Sequence, residues 1–482
     1  MGARAEKTNR PLTVVAVMLS VFMSALEVTV VSTAMPTVVG ALGGVSFYAW
    51  VFTAYVVVST VSMPIAGKLA DLYGRKPVML VAIALFLCGS LAAGQARTMA
   101  FLIGARALQG FGGGAMQSMG LTIMGDIFSV HERARIQGVT GMVWGLAGIV
   151  GPLLGGAIVH HVGWPWVFYL NLPFGLLSAL LLASVLHERV ERRDARLDVA
   201  GAALLGATIV LTLVGARAGA GTPALAAALV TGALFVWIER RAPEPVLSLA
   251  LLSRPILRVA TALGALIGAS LMSMLTFVPL FVQGVTGGSA TDAGAAIAPM
   301  AIGWPVASVI AGRLVERVGY RPLVRVGLTV TALSAVGLAA FLTPDASSAV
   351  PRIASACFGV GLGFANTVTL IAVQGSVDFR ERGVATASTM LFRTVGGALS
   401  VGLLGELLAR ALGRDPALSR DTARMLAGGD LGKTFDAAQR AHLSGALAHG
   451  LAPIFWVIAG LSVGALAVGL FFPKLRLGAE RG

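Results

Sequence analysis

The chain predicts an all-α integral membrane protein: two six-helix halves with two inserted helices between them, fourteen transmembrane helices in all. Three observations carry this. Of the 482 residues, 56% are hydrophobic and only 12% charged, and the mean hydropathy is +0.85, far above that of soluble domains. Apolar stretches able to cross about 30 Å of hydrocarbon at about 1.5 Å per residue recur along the whole length. A single gap-free offset of 245 residues lays loops and helices of the first half onto the second. A membrane barrel is excluded, because its strands would alternate in ten-residue segments, whereas these runs are apolar on every side and rich in Leu, Ala and Gly.

In chain order the spans fall near 12–34, 47–67, 78–96, 99–124, 137–159, 165–186, 197–216, 222–239, 256–283, 291–312, 322–342, 350–374, 385–411 and 449–472. The first follows Arg4, Lys7 and Arg10 as a signal peptide would, but its apolar run is too long and no small-residue cleavage site follows, so it reads as a retained helix. With the N-terminus inside, roughly 25 of the 36 Lys and Arg fall in cytoplasmic segments, as the positive-inside rule requires. Six of the seven outer loops hold only Arg97, Arg217 and Arg352; the seventh, 412–448, is mixed, its basic residues offset by Asp415, Asp421, Asp430 and Asp436. The net charge of +14 is therefore orientation, with both termini cytoplasmic, and not a nucleic-acid footprint. Cys88 and Cys357 lie inside spans, which indicates no disulfide framework.

The repeat divides the chain. In 67-GKLADLYGRKPVML-80 and 312-GRLVERVGYRPLVR-325, Gly67, Leu69, Asp71, Gly74, Lys76 and Pro77 fall opposite Gly312, Leu314, Glu316, Gly319, Arg321 and Pro322. The same offset carries Gly151 onto Gly396. Residues 1–186 form the N-terminal six-helix half, 187–250 the inserted pair, and 251–482 the C-terminal half with its external loop 412–448. The inserted helices carry few polar residues; they suit a lipid-facing periphery, with a role in substrate binding as the alternative.

Charges within spans are rare and costly, about 2.5–3.5 kcal/mol at mid-membrane on insertion scales. Glu27 lies in the first span and Arg106 in the fourth. Counting inward from opposite faces puts both about 20 Å from the inner boundary at 1.5 Å per residue, so a pair is geometrically possible; the alternative has Arg106 snorkelling outward and Glu27 alone. Burial favours the neutral carboxyl and a nearby guanidinium the ionised one. The offset places Met272 opposite Glu27 and Pro351 opposite Arg106, so the second half duplicates neither charge. Glu406 is a further acid, near the outer end of the thirteenth span. Gln109, Gln117, Gln283 and Asn366, with Met272, Met274 and Phe277 as a pliable apolar wall, are candidates for a substrate cavity, each also explicable as ordinary helix packing.

The loop motif has its own physical reading. Gly67 and Gly74 permit a tight connection between two spans. Asp71 can cap a helix N-terminus or pair with Arg75 and Lys76, and Asp126 and Arg133 would extend the network. In 148-GIVGPLLGG-156, Gly148, Gly151, Gly155 and Gly156 permit close helix contact and Pro152 a bend, a packing device first of all.

These stretches resemble the major facilitator superfamily. Gly67, Leu69, Ala70, Asp71, Gly74, Arg75 and Lys76 fit its loop signature, and 148-GIVGPLLGG-156 is similar to its antiporter motif. The stretches 26-LEVTVVSTAMP-36 and 384-VATASTMLFRTVGGALSVGLLGE-406 look like the fourteen-helix drug:proton antiporters of the EmrB/QacA type, with Glu27 where that branch usually has Asp. The resemblance implies a major facilitator fold and a monomeric, proton-coupled exporter in a bacterial cytoplasmic membrane. It would take small hydrophobic, often cationic substrates and be driven by the proton gradient, with no cofactor, metal or nucleic acid. Glu27, Arg106 and Glu406 would serve proton coupling and substrate, and the loop motif would be an inner gate. Alternatives are an exporter dedicated to an endogenous metabolite, a siderophore or a self-made antibiotic, and, more distantly, a membrane sensor or enzyme. No P-loop, HExxH or nucleophile elbow is present.

Overall fold

The computed structural model describes residues 9–42, 48–128, 130–188, 198–215, 221–242, 247, 249–288, 290–378, 381–412 and 436–474. Every ordered element among them is helical. We number them α1 (Arg10–Leu42), α2 (Tyr48–Tyr73), α3 (Arg75–Gly94), α4 (Met99–Ile127), α5 (Val130–His161), α6 (Pro165–Tyr169), α7 (Asn171–Val185), α8 (Val199–Gly215), α9 (Gly221–Glu239), α10 (Leu249–Ser253), α11 (Pro255–Gly284), α12 (Ala290–Val318), α13 (Tyr320–Phe341), α14 (Ala349–Gly375), α15 (Arg382–Leu412) and α16 (Ala437–Gly469).

Helices stand at all fourteen expected positions. Among the described residues, however, ten are long and apolar enough to cross a membrane: α1, α2, α3, the α6–α7 pair and α11 to α16. Shorter apolar stretches among the described residues fall in α5 (Val139–Gly148), α8 (Ala200–Thr212) and α9 (Pro223–Glu239). The loop 412–448 also needs correction. Asp436 and Gln439 form a reciprocal capping box, so α16 starts at Ala437 and takes twelve residues that hydropathy assigned to the loop. Residues 413–435 lie outside the described residues.

The chain divides into two compact units. The first holds Met1–Val210, Ala228–Leu257 and Val373–Leu391; the second holds Leu211–Ala227, Arg258–Ala372 and Phe392–Gly482. The core of the first unit is rich in flexible Met side chains, among them Met23, Met79, Met116, Met119 and Met124, packed with Phe86 and Ile83.

Within each unit the repeat is visible in backbone geometry. Gly74 between α2 and α3 has φ 97°, and Gly319 between α12 and α13 has φ 84°, a left-handed conformation that glycine adopts without steric cost. Glycines on the following helix mark where backbones touch. Gly110, Gly112 and Gly114 on α4 press on Tyr55, on Ala82 and Phe86, and on Ser59. In the second unit Gly359, Gly361 and Gly363 on α14 press on Met300, on Gly327 and Thr331, and on Trp304. The partners keep the 245 offset, whereas the glycines are 249 apart. The repeat therefore slips by one helical turn in α14, whose connector 342–348 is longer than 95–98. Ser355, not Pro351, occupies the place of Arg106, and the second unit still lacks that charge.

Candidate functional site: a buried ion pair and a capped loop motif

Four helices and the start of a fifth bring polar side chains together inside the first unit. Glu27 on α1 and Arg106 on α4 are each 1% exposed and form an ion pair through Glu27 Oε1 and Arg106 Nη1. The second carboxylate oxygen, Oε2, accepts from Asn171 Nδ2 at the first position of α7. Gln109, three residues after Arg106 and so on the same helix face, accepts from Arg106 Nη1 at 2.6 Å and donates to Ser90 Oγ on α3 at 2.7 Å. Asn171 Nδ2 also lies 3.2 Å from Ser90 Oγ. The guanidinium carbon stands 4.4 Å from the centroid of the Tyr55 ring on α2, a cation–π placement. Tyr55 OH in turn meets Ser24 Oγ at 3.4 Å.

Both carboxylate oxygens thus have donors, and the guanidinium has a carboxylate, an amide oxygen and a ring face. Such compensation is what lets a buried pair survive desolvation, and removing one partner leaves an uncompensated charge. The equal-depth argument pairs Glu27 with Arg106; Gln109, expected in a substrate cavity, joins them here. Asn171, Ser90 and Tyr55 were not singled out. Asn171 carried a usable signal, since an amide beside the break between α6 and α7 is an intramembrane polar group.

The loop motif forms a second cluster in the same unit. Arg75 binds Asp126 Oδ2 through Nε at 2.9 Å and Asp71 Oδ1 through Nη2 at 3.1 Å, and its Nη1 donates to the Ala70 carbonyl at 3.1 Å. Gly74 offers no side chain to cap α3. Glu188 does so instead, accepting from the Arg75 amide at 2.7 Å and the Lys76 amide at 3.1 Å, an anion at a helix N-terminus. Lys76 Nζ donates to the Ala183 carbonyl in the last turn of α7 at 2.6 Å. Asp71 caps α15 in the same manner through Val384 N, and Gly67 lets the helices approach: a Cβ there would stand 2.8 Å from Gly383 O and from Ala387 Cβ. Arg382 reaches Asp126 Oδ1 at 3.8 Å. Glu188, Val384 and Arg382 were missed as motif partners because their link to it is purely tertiary.

In the glycine-rich stretch of α5, Gly151 lies directly against Thr29 of α1, and Thr29 Oγ1 donates to the Ala147 carbonyl at 3.0 Å. Gly155 is buried. Gly148 differs from the expectation of a packing residue: it is exposed, and a Cβ there would meet nothing within 4 Å. The side chains of Pro152, Gly156, Arg133, Gln283 and Glu406 lie outside the described residues.

The apolar wall is also corrected. Met274 and Phe277 are buried at 1% and 2%, whereas Met272 is 40% exposed. Residues 274, 277, 278 and 281 share one helical face, turned into the core of the second unit, where Phe281 meets Phe455 edge-on at 5.8 Å. Gln117 and Asn366 are half-buried on α4 and α14. Among the described residues no cluster of three or more His, Cys, Asp or Glu could hold a metal.

Comparison with known proteins places these features. Residues 17–401 match the family model of the Major Facilitator Superfamily. The chain is 36% identical over 417 residues to the multidrug transporter protein MdtP of Bacillus subtilis, covering 85% of this chain and 77% of that protein. It is 33% identical over 412 residues to multidrug resistance protein 3 of the same organism, covering 84% and 80%. Among solved structures, the proton:xylose symporter XylE superposes with a TM-score of 0.63 at 12% identity over 96% of both chains, a likeness of fold.

Proposed function

Since this chain belongs to the Major Facilitator Superfamily, we propose that it is a proton-coupled exporter of small hydrophobic, often cationic molecules, working by alternating-access antiport. It is a multi-pass membrane transporter, not an enzyme, and its family uses no cofactor. The finer reading places it among the fourteen-helix drug:proton antiporters, as a monomer in the bacterial cytoplasmic membrane with both termini in the cytoplasm. In that reading α4 and α5 cross inside the bundle, and α8 and α9 cross at its lipid-facing edge. Relatives with multidrug names support the substrate class.

The observation that carries proton coupling is the sealed Glu27–Arg106 pair. Each oxygen of the buried carboxylate has a donor and a cation stands beside it. Protonation removes the carboxylate's charge, weakens the hold on Arg106 and frees the guanidinium to shift toward Gln109 and Tyr55. Such a site has two arrangements that a proton selects between. The Arg75 cluster serves as the inner latch, because its bonds from α2 and α3 to α4 and α15 must break if those helices separate. The Gly151–Thr29 contact supplies a seal against leak.

The test is export by purified protein in proteoliposomes with an imposed pH gradient, using a panel of aromatic cations, for wild type and Glu27→Gln. Export that collapses with the gradient and with Glu27→Gln is expected. Export undiminished after a protonophore would sink the coupling claim while leaving transport intact.

A further inference from the structure

Arg393 is the twelfth of the 31 residues of α15 and lies inside its apolar stretch. At 1.5 Å per residue it is about 16 Å from the start of the helix, half the thickness of the hydrocarbon core. It is too far from either end to snorkel. Arg106 answers the same burden with an ion pair, hydrogen bonds and a ring face. Arg393 has no hydrogen bond or ion pair among the described residues. It is half-buried, as are Phe392, Thr394, Val395 and Gly396 around it, so its guanidinium is not sealed in packing.

Its surroundings within the second unit are shaped. The stem lies along α11, with Cγ 2.9 Å from where a Cβ on Gly268 would stand. One turn on, Gly397 faces Met272 of α11, and Met272 is 40% exposed. Beyond them Ser273 and Ser400 are hydrogen-bonded to each other at 2.7 Å and so make no demand on the guanidinium. An unanswered cation beside an exposed, pliable thioether is a head-and-body arrangement: a planar fork of donors for an oxyanion, next to apolar surface for an aromatic or aliphatic body.

We propose that Arg393 binds the anionic group, a carboxylate or sulfonate, of amphiphilic substrates whose apolar body lies against Met272. The inference rests on the export reading and extends its substrate class: acids and zwitterions are carried as well as cations, and Arg393 discriminates between them.

The experiment uses a matched pair of fluorescent probes, a rhodamine bearing a free carboxylate and its methyl ester, in efflux from cells lacking their own pumps. Membrane levels of each variant are checked through a tag. Arg393→Gln is expected to lower the ratio of acid to ester export about tenfold, the scale of one charge-assisted hydrogen bond, and Arg393→Lys is expected to restore part of it. Equal losses for both probes make Arg393 structural and overturn the inference, as does an unchanged ratio. Wild-type protein that exports the ester but not the acid overturns it too, while the broader export reading stands. Wild-type protein that exports neither removes both.

Discussion

Asp71 Oδ2 accepts a hydrogen bond from the Val384 amide at 3.2 Å, and Val384 is the third residue of α15. The first amides of a helix have no partner within it, so the loop-motif carboxylate does for α15 what an N-cap residue does for its own helix. Gly383 makes the approach possible, since a Cβ there would lie 2.6 Å from Asp71 Oδ1.

Asp71→Ala should therefore cost about 1–2 kcal/mol, the range of a lost cap, and more if Arg75 is left with a weakened acidic partnership. Asp71→Asn retains an acceptor for Val384 and should recover part of the loss without restoring the charge opposite Arg75. Thermal unfolding of the purified protein in detergent reads both. Equal stability of Asp71→Ala and wild type would remove the capping role.

The two glycines of the α5 stretch should separate cleanly. Gly151→Ala drives a methyl into Thr29 and forces α5 from α1, which should cost about 1–3 kcal/mol as overpacking does. Gly148→Ala meets open space and should be neutral or slightly stabilising, because alanine is the better helix former. Proton leak through proteoliposomes, measured with a pH-sensitive dye, should rise for Gly151→Ala alone. A leak in both would mean that the stretch works through helix flexibility and not through the Thr29 contact.

What could be read from the chain follows from the range of each interaction. Hydropathy marked the ten helices that, among the described residues, are long and apolar enough to cross a membrane, because burial in lipid is written residue by residue. It misjudged the start of α16, where a local Asp436–Gln439 capping box outweighs polarity. The Glu27–Arg106 pair was legible because charges in lipid are rare and helical rise fixes their depth. Glu188 was not, since its role arises only when the end of α7 folds against α3. Asn171 was visible as a polar residue within a span, but its partner Glu27 appears only when α7 folds against α1. The one-turn slip of α14 was invisible for a related reason: the motifs flanking it keep the 245 offset, and only helix contacts report the change.

Gly74 and Gly319 make a paired test of the repeat. Each sits at positive φ before a helix, so alanine at either position should cost about 1 kcal/mol or more. The effect should be larger at Gly74, because the turn there aims Arg75 at three carboxylates, Asp71, Asp126 and Glu188. In the second unit Tyr320 replaces that arginine, and Arg321 and Arg325 instead donate to the Leu470 carbonyl at 3.2 and 2.6 Å. Gly74→Ala should thus slow transport as well as lower the unfolding temperature, and Gly319→Ala should mainly lower the temperature. Equal transport defects would count against the asymmetry.

The buried pair calls for a double-mutant cycle. Glu27→Gln leaves Arg106 buried against neutral partners, and Arg106→Gln leaves Glu27 with Asn171 alone. Each should destabilise by about 3–5 kcal/mol, the cost of stranding a buried charge. The double substitution removes both charges and should be markedly more stable than the sum of the single losses implies, yet inactive in gradient-driven export. Asn171→Leu is the finer probe. It strips the donor from Glu27 Oε2 while leaving the ion pair, and should cost about 1–3 kcal/mol. Additive single losses in unfolding measurements would mean that Glu27 and Arg106 are not coupled in the folded protein, and proton coupling would have to be sought elsewhere.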